Sequence, residues 1–254
     1  MARAEIAART LRTDRWWLPP LTTFVGLLLI SIYAAFRTFQ GDYYWVDQYH
    51  YLTPMYSPCL TEECVPAASH FGQWFPALPG FLTPPLLIIP FLLGFRITCY
   101  YYRKAYYRAA WASPPACAVA EPHSKYTGET RFPLIAQNLH RYFFYAASLL
   151  LLVNIYDAVS AFSTGVGLGN LVLLVNVGLL GAYTLSCHSC RHIAGGRLKH
   201  FSKHPVRYWM WTQISKLNNR HMQLAWASLI FVCLTDLYVA LVASGTISDL
   251  RFIN

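Results

Sequence analysis

The chain alternates long apolar runs with shorter polar segments. Five runs have about 20 residues, the length of a helix that crosses a lipid bilayer; they cover 19–38, 82–102, 138–160, 168–191 and 221–245. We predict an all-α integral membrane protein in which these runs form a bundle of five transmembrane helices. The whole chain, 1–254, is expected to be a single transmembrane domain.

The second run is the least regular of the five. It contains Pro84, Pro85, Pro90 and the charged Arg96. Proline is tolerated in the first turn of a helix, and an arginine near a helix end can extend its guanidinium to the membrane surface. The sequence therefore predicts a single helix over 82–102.

Charge adds an orientation to this bundle. The chain carries a net charge of +9, but only 12% of its residues are charged and 56% are hydrophobic. Lys and Arg collect on the cytoplasmic side of membrane proteins, so we expect the bilayer, and no nucleic acid, as the partner of these charges. The segment 39–81 has acidic residues but no Lys or Arg, and of the 20 basic residues only Arg37 and Arg251 fall on its side.

We therefore predict a cytoplasmic N-terminus and a C-terminus outside. Arg3, Arg9, Arg12 and Arg15 precede the first run, and no cleavage pattern of small residues follows it. A basic flank without such a pattern is typical of a retained anchor.

The outer segment 39–81 is rich in Tyr, Trp and Pro and is long enough to fold over the mouth of the bundle. Cys59 and Cys64 lie in it, on the oxidising side of the membrane. They can form a disulfide there; the alternative is two free thiols.

A second group of cysteines lies at the inner end of the fourth run, in the sequence S-C-H-S-C-R-H. On a helix, Cys187 and Cys190 are three residues apart and share one face. His140 and His221 lie at the inner ends of the neighbouring runs. The predicted metal ligands are therefore Cys187, Cys190, His140 and His221, with His188, His192 and Cys99 in reserve.

Two cysteines and two histidines suit either zinc or a Rieske-type [2Fe–2S] cluster. A structural zinc would add little to a bundle whose helices the lipid already stabilises. A redox cluster, by contrast, could carry electrons there. The alternative is that the cysteines are small buried apolar residues and the histidines contact headgroups.

A five-helix bundle with a basic inner face and redox ligands resembles the membrane anchors of succinate dehydrogenases and fumarate reductases. Many of those anchors hold two b haems through histidines at two depths, but no outer half of a run contains a histidine here. The Cys187-x-x-Cys190 pair with His140 and His221 resembles the actinobacterial (type F) anchor, a single subunit with a membrane-embedded Rieske-type cluster.

The resemblance implies a subunit of succinate:quinone oxidoreductase in the bacterial plasma membrane. A flavoprotein would oxidise succinate, an iron–sulfur subunit would carry the electrons, and this chain would pass them to a quinone, menaquinone in this family. No catalytic residue for succinate is expected in the chain. Whether such a complex forms a higher oligomer is left open.

A cluster near the inner end suggests a quinone beyond it, towards the outer side. The candidate pocket combines aromatic side chains, which can sandwich the ring, with intramembrane carboxylates, which can relay protons. Its predicted members are Trp45, His50, Tyr156, Asp157 and Asp236. The alternative role for the two carboxylates is to cap helices or pair with other side chains.

Three other functions compete with this interpretation. One is a haem-b-binding anchor of the fumarate reductase type. Another is a thiol–quinone oxidoreductase of the vitamin K epoxide reductase kind, but charge places its two cysteine pairs on opposite sides of about 30 Å of hydrocarbon. The last is a non-redox anchor or small transporter.

Overall fold

Four long apolar helices dominate the structure. The computed structural model describes residues 12–121, 130–132 and 134–253, so Arg3, Arg9 and the N-terminus itself lie outside the described residues. The long helices are α1 (Leu18–Gln40), α4 (His140–Ser160), α5 (Leu168–Leu185) and α8 (His221–Ala243). Each is long and apolar enough to cross a membrane; the 23 residues of α1 span about 35 Å.

The predicted second span is not one helix. A 3₁₀ turn (Pro84–Leu87) leads into α2 (Ile89–Thr98), the chain breaks at Cys99, and α3 (Tyr100–Ala109) follows. The prolines explain the irregular start, because proline cannot donate to the helical ladder. Cys99 has an extended backbone (ψ 131°), which ends α2 after ten residues. The prediction of a continuous helix over 82–102 is therefore wrong.

The core helices pack side by side. α5 lies between α4 and α8, α2 packs on α4, and α1 contacts α3 and α8. More than half of the residues of α1 are exposed, and Leu29, Ile32 and Phe36 are about 60% accessible. An exposed apolar helix surface of this kind is suited to lipid.

One end of the bundle carries two further helices, α6 (His188–Gly195) and α7 (Pro205–Asn218). Arg207 holds them together, because its guanidinium donates to the carbonyls of Ile193, Ala194 and Gly196 where α6 ends. Since these helices and α3 carry many basic residues, we call this the basic end.

The opposite end is covered by residues 41–83, which we call the cap. A hairpin of β1 (Trp45–Val46) and β2 (Tyr51–Leu52) leads into a 3₁₀ turn at Pro54–Tyr56. A disulfide joins Cys59 to Cys64, and both sulfurs lie in a core formed by the cap itself. At the same end, β3 (Val166–Gly167) pairs with β4 (Arg251–Ile253) near the C-terminus.

A buried ion pair ties α1, α8 and the cap together. Arg37 Nε donates to Asp236 Oδ2 (2.7 Å), and the Asp236 side chain is fully buried. Tyr33 donates to the same oxygen at 2.6 Å, and Thr53 of the cap donates to the other oxygen. Arg37, which the charge count placed on the outer side, is thus neutralised inside the protein.

Removing the carboxylate should destabilise this end of the bundle. We expect Asp236→Ala to lower the free energy of unfolding by about 3–5 kcal/mol, because it leaves a buried guanidinium unpaired. A melting curve in detergent measures the effect. Glu63→Gln, at an exposed cap carboxylate, is the control and should leave the melting temperature unchanged; equal curves for both variants would refute the structural role of the pair.

Candidate functional site

Cys187 lies at a break in the chain, not on the face of a long helix. α5 ends at Leu185, and the Ser186 hydroxyl donates to the carbonyl oxygen of Tyr183 (2.7 Å). Cys187 is the N-cap of α6, where its sulfur accepts a hydrogen bond from the Ser189 amide. The prediction of one helix over 168–191 is wrong, since hydroxyl–backbone bonds of this kind compete with the helical ladder.

His140, the first residue of α4, contacts Cys187. Its Nε2 lies 3.0 Å from the Cys187 sulfur, and its Nδ1 lies 2.8 Å from the Thr98 hydroxyl. The imidazole stacks on the ring of Phe95, with ring centroids 5.1 Å apart. Both ring nitrogens and one face are therefore occupied.

His221, the first residue of α8, repeats this arrangement with another cysteine. Its Nε2 lies 3.1 Å from the Cys99 sulfur, and its Nδ1 lies 2.6 Å from the Ser186 hydroxyl. Its ring stacks on Tyr183 with centroids 5.2 Å apart. The break between α2 and α3 thus supplies one thiol, and the break after α5 supplies the other.

The hydroxyl groups fix the tautomer of both imidazoles. Thr98 donates its only proton to the Gly94 carbonyl (2.6 Å), and Ser186 donates its proton to Tyr183. Each hydroxyl can then only accept from a histidine Nδ1–H. Each Nε2 is left with a lone pair directed at a thiol, as a metal-ligating histidine requires.

The two thiol–imidazole pairs belong to one buried cluster. Cys99 and Cys187 are 2% and 1% exposed and share a hydrophobic core with Phe95, Tyr102 and Tyr183. The Tyr183 hydroxyl is buried there and has no hydrogen-bond partner within the described ranges. We call Cys99, His140, Cys187 and His221 the thiol–imidazole site.

The other predicted ligands lie at or outside the edge of this site. Cys190 is half-buried and packs against the same core, but it forms no hydrogen bond to either imidazole. His188 and His192 are exposed, and His192 Nδ1 accepts from Arg141 (2.8 Å). In the part of the chain that the structure describes, no group of three His, Cys, Asp or Glu residues surrounds a single point.

Four of the five predicted pocket residues meet at the capped end. Trp45 stacks on His50 (centroids 5.6 Å apart) and meets the edge of His70 (5.8 Å), whose ring in turn contacts Tyr156 (5.8 Å). His70 Nδ1 lies 2.6 Å from Asp157 Oδ1, and Ser57 donates to the other carboxylate oxygen. We call this group the aromatic pocket.

His70 was missing from the predicted pocket although it lies at its centre. It is a loop residue, so no periodicity in the sequence connects it to Asp157. Asp236, by contrast, is enclosed by its ion pair with Arg37 and is not part of the aromatic row.

The fold and the buried site define a helical, multi-pass membrane protein. The family model described as actinobacterial succinate dehydrogenase subunit SdhC matches residues 18–245, so the chain belongs to this family. It is a membrane anchor subunit of succinate dehydrogenase.

A solved structure supports the same assignment. A chain of the Mycobacterium smegmatis Sdh1 complex in the apo form is 66% identical, with a TM-score of 0.94. The match covers 99% of this chain and 97% of that one. No curated protein matches the sequence.

The burial of the five free cysteines predicts large differences in the rates at which their thiols react. We expect Cys99 and Cys187 of the metal-free protein to react with N-ethylmaleimide at least about tenfold more slowly than the exposed Cys117, because reaction requires local opening. Mass spectrometry of peptides after timed labelling gives the rates, and labelling in SDS is the control. Equal rates for Cys187 and Cys117 in the folded protein would contradict the buried site.

Proposed function

We propose that this anchor carries electrons from an iron–sulfur subunit through a Rieske-type [2Fe–2S] cluster to a quinone. The observation that supports it is the meeting of two buried thiols and two imidazole lone pairs at the basic end. The partners would be a flavoprotein and an iron–sulfur subunit, as the membership in the succinate dehydrogenase family implies.

Cys99, Cys187, His140 and His221 would hold the cluster. In this proposal Cys99 takes the place that the sequence pattern gave to Cys190, because Cys99 lies within hydrogen-bond distance of an imidazole and Cys190 forms no such bond. A Rieske-type [2Fe–2S] cluster takes four protein ligands, two thiolates on one iron and two imidazoles on the other, so a set of donors spread over two neighbouring contacts suits it better than the single tetrahedral point that zinc needs. When bound, the cluster supplies a one-electron redox group.

The surroundings of the site also fit this group. The two Nδ1–H bonds to hydroxyls would keep both histidines neutral and correctly oriented as ligands. Sulfur atoms are acceptors, so a cluster would provide a partner for the Tyr183 hydroxyl. Both imidazole Nε2 atoms lie about 3 Å from a sulfur, which favours the cluster over a haem as their shared ligand.

The basic end would face the cytoplasm and dock the iron–sulfur subunit. Its Lys and Arg residues match the positive-inside bias, and complementary charge would guide the fit. Tyr208 and Trp209 on α7 are 49% and 63% exposed there and could serve as contact residues.

The aromatic pocket would receive the quinone. Tyr156 is 52% exposed on the outer surface of α4, so a ring arriving from the lipid could pack against it and Trp45. His70 Nε2 has no partner among the described residues and would donate a proton to a quinone oxygen. Asp157 would stabilise the charged imidazole, because its carboxylate is held against Nδ1.

The thiol–imidazole site and the aromatic pocket lie at opposite ends of α4. His140 belongs to the thiol–imidazole site and Asp157 to the aromatic pocket; they are 17 positions apart along α4, which corresponds to about 25 Å. Electron transfer slows steeply with distance. A quinone that accepts electrons at the basic end instead would leave the aromatic pocket without effect on the reaction.

The ligand set can be tested by comparing two cysteines. We expect Cys99→Ala to remove the iron, the acid-labile sulfide and the Rieske-like EPR signal of the anchor, since it deletes one of four ligands. Cys190→Ala, the matched control, should retain all three. The reverse outcome would restore Cys190 to the ligand set, and the absence of any such signal in the wild-type complex would refute the cluster.

The quinone pocket can be tested by separating two activities. We expect His70→Ala and Asp157→Asn to slow quinone reduction by about tenfold or more, because a positioned proton donor contributes at least that much. Succinate oxidation with a soluble artificial acceptor should be unchanged. Glu62→Gln, at an exposed cap carboxylate outside the pocket, is the control; unchanged quinone reduction in both pocket variants would place the acceptor elsewhere.

A further inference from the structure

Arg96 is a cation on an apolar helix and has no anionic partner among the described residues. It lies on the short apolar helix α2, and its guanidinium donates to the Tyr102 hydroxyl (2.7 Å), the Ser228 hydroxyl (3.3 Å) and the Ala225 carbonyl (3.4 Å). All three acceptors are neutral. No carboxylate of a described residue forms an ion pair with it, in contrast to Arg37 and Arg251, which pair with Asp236 and Asp249.

An unpaired charge among apolar helices is costly. Such residues usually face a functional group or an ion path, and a lone buried charge destabilises a protein far more than a paired one. The position of Arg96 therefore calls for a negative charge nearby that no carboxylate of the described residues supplies.

The thiol–imidazole site lies one aromatic ring away. The guanidinium carbon of Arg96 lies 4.8 Å from the centroid of Tyr183, and the same ring stacks on His221 at 5.2 Å. On the other side, the neighbouring residue Phe95 stacks on His140. The Tyr183 ring thus contacts both the Arg96 guanidinium and the His221 imidazole.

A [2Fe–2S] cluster at this site would acquire the missing charge on reduction. Two ferric irons and two sulfides carry a charge of 2+, two thiolates cancel it, and neutral imidazoles add nothing. One electron, which the iron–sulfur subunit delivers during succinate oxidation, changes the total from zero to −1, and no bond or proton moves. A fixed cation nearby favours the reduced form by direct Coulomb attraction.

We propose that Arg96 is a positioning residue that raises the reduction potential of the site through its charge. This inference rests on the proposed cluster and adds a role for a residue that ligates nothing. The charge would make the site a better electron acceptor for the iron–sulfur subunit, without contact to the substrate or the quinone.

The direct test removes the charge in the whole complex. We expect Arg96→Gln to lower the midpoint potential in an EPR-monitored redox titration and to leave the iron content unchanged. Arg96→Lys keeps the charge and should keep the potential close to that of the wild type. A merely structural role would not separate these two variants by potential.

A second variant tests the charge while the arginine stays in place. Ser228 donates to the Ala225 carbonyl of its own helix and accepts from Arg96, so Ser228→Asp would place a carboxylate against the guanidinium. We expect it to lower the potential in the same direction as Arg96→Gln. Ser228→Asn, of similar size but neutral, is its control and should not change the potential.

The outcomes separate this inference from the proposed function. If the wild-type complex lacks the signal, the cluster is refuted and the role of Arg96 falls with it. If the signal is present but Arg96→Gln and Ser228→Asp both titrate like the wild type, only the role of Arg96 is overturned. Should Arg96→Gln fail to assemble, the comparison of Ser228→Asp with Ser228→Asn decides.

Discussion

Polar groups among membrane helices must find their partners inside the protein, because lipid offers none. At the thiol–imidazole site this constraint determines the chemistry. Thr98 and Ser186 each give their proton to a carbonyl of their own helix, and this leaves each hydroxyl as an acceptor for a histidine Nδ1–H. Two local backbone contacts thus direct two imidazole lone pairs towards the buried sulfurs.

The same constraint attaches the cap to the bundle. Asp157, Asp236 and Asp249 lie at the capped end and are buried, and each accepts hydrogen bonds from a cap side chain: Ser57 and His70, Thr53, and Tyr51 respectively. A carboxylate on a helix that would otherwise be costly in the bilayer becomes the point where an irregular segment is fixed. His70 makes one of these contacts. The His70–Asp157 pair therefore anchors the cap and also contains the proposed proton donor.

The apolar runs were sufficient to predict the four long helices, since about 20 apolar residues have few stable alternatives in a bilayer. Shared depth along those helices also indicated Cys187, His140 and His221. The breaks at Cys99 and Ser186 could not be predicted in this way, because they depend on prolines, hydroxyl bonds and packing rather than on hydropathy. Cys99 contacts His221 because of those breaks, and His70 contacts Asp157 because of the fold of the cap.

Arg37 and Arg96 are the same residue type, but their surroundings indicate a structural role for the first and a functional role for the second. Both carry a positive charge on an apolar helix, and both have aromatic hydroxyls nearby. Arg37 meets a carboxylate and becomes part of a neutral, buried link between helices. Arg96 meets only neutral groups, so its field extends to the rings that hold His140 and His221. Beside the four donors that we propose as cluster ligands, a charge that forms no ion pair among the described residues would serve an electron carrier, whose own charge changes, better than a static packing core.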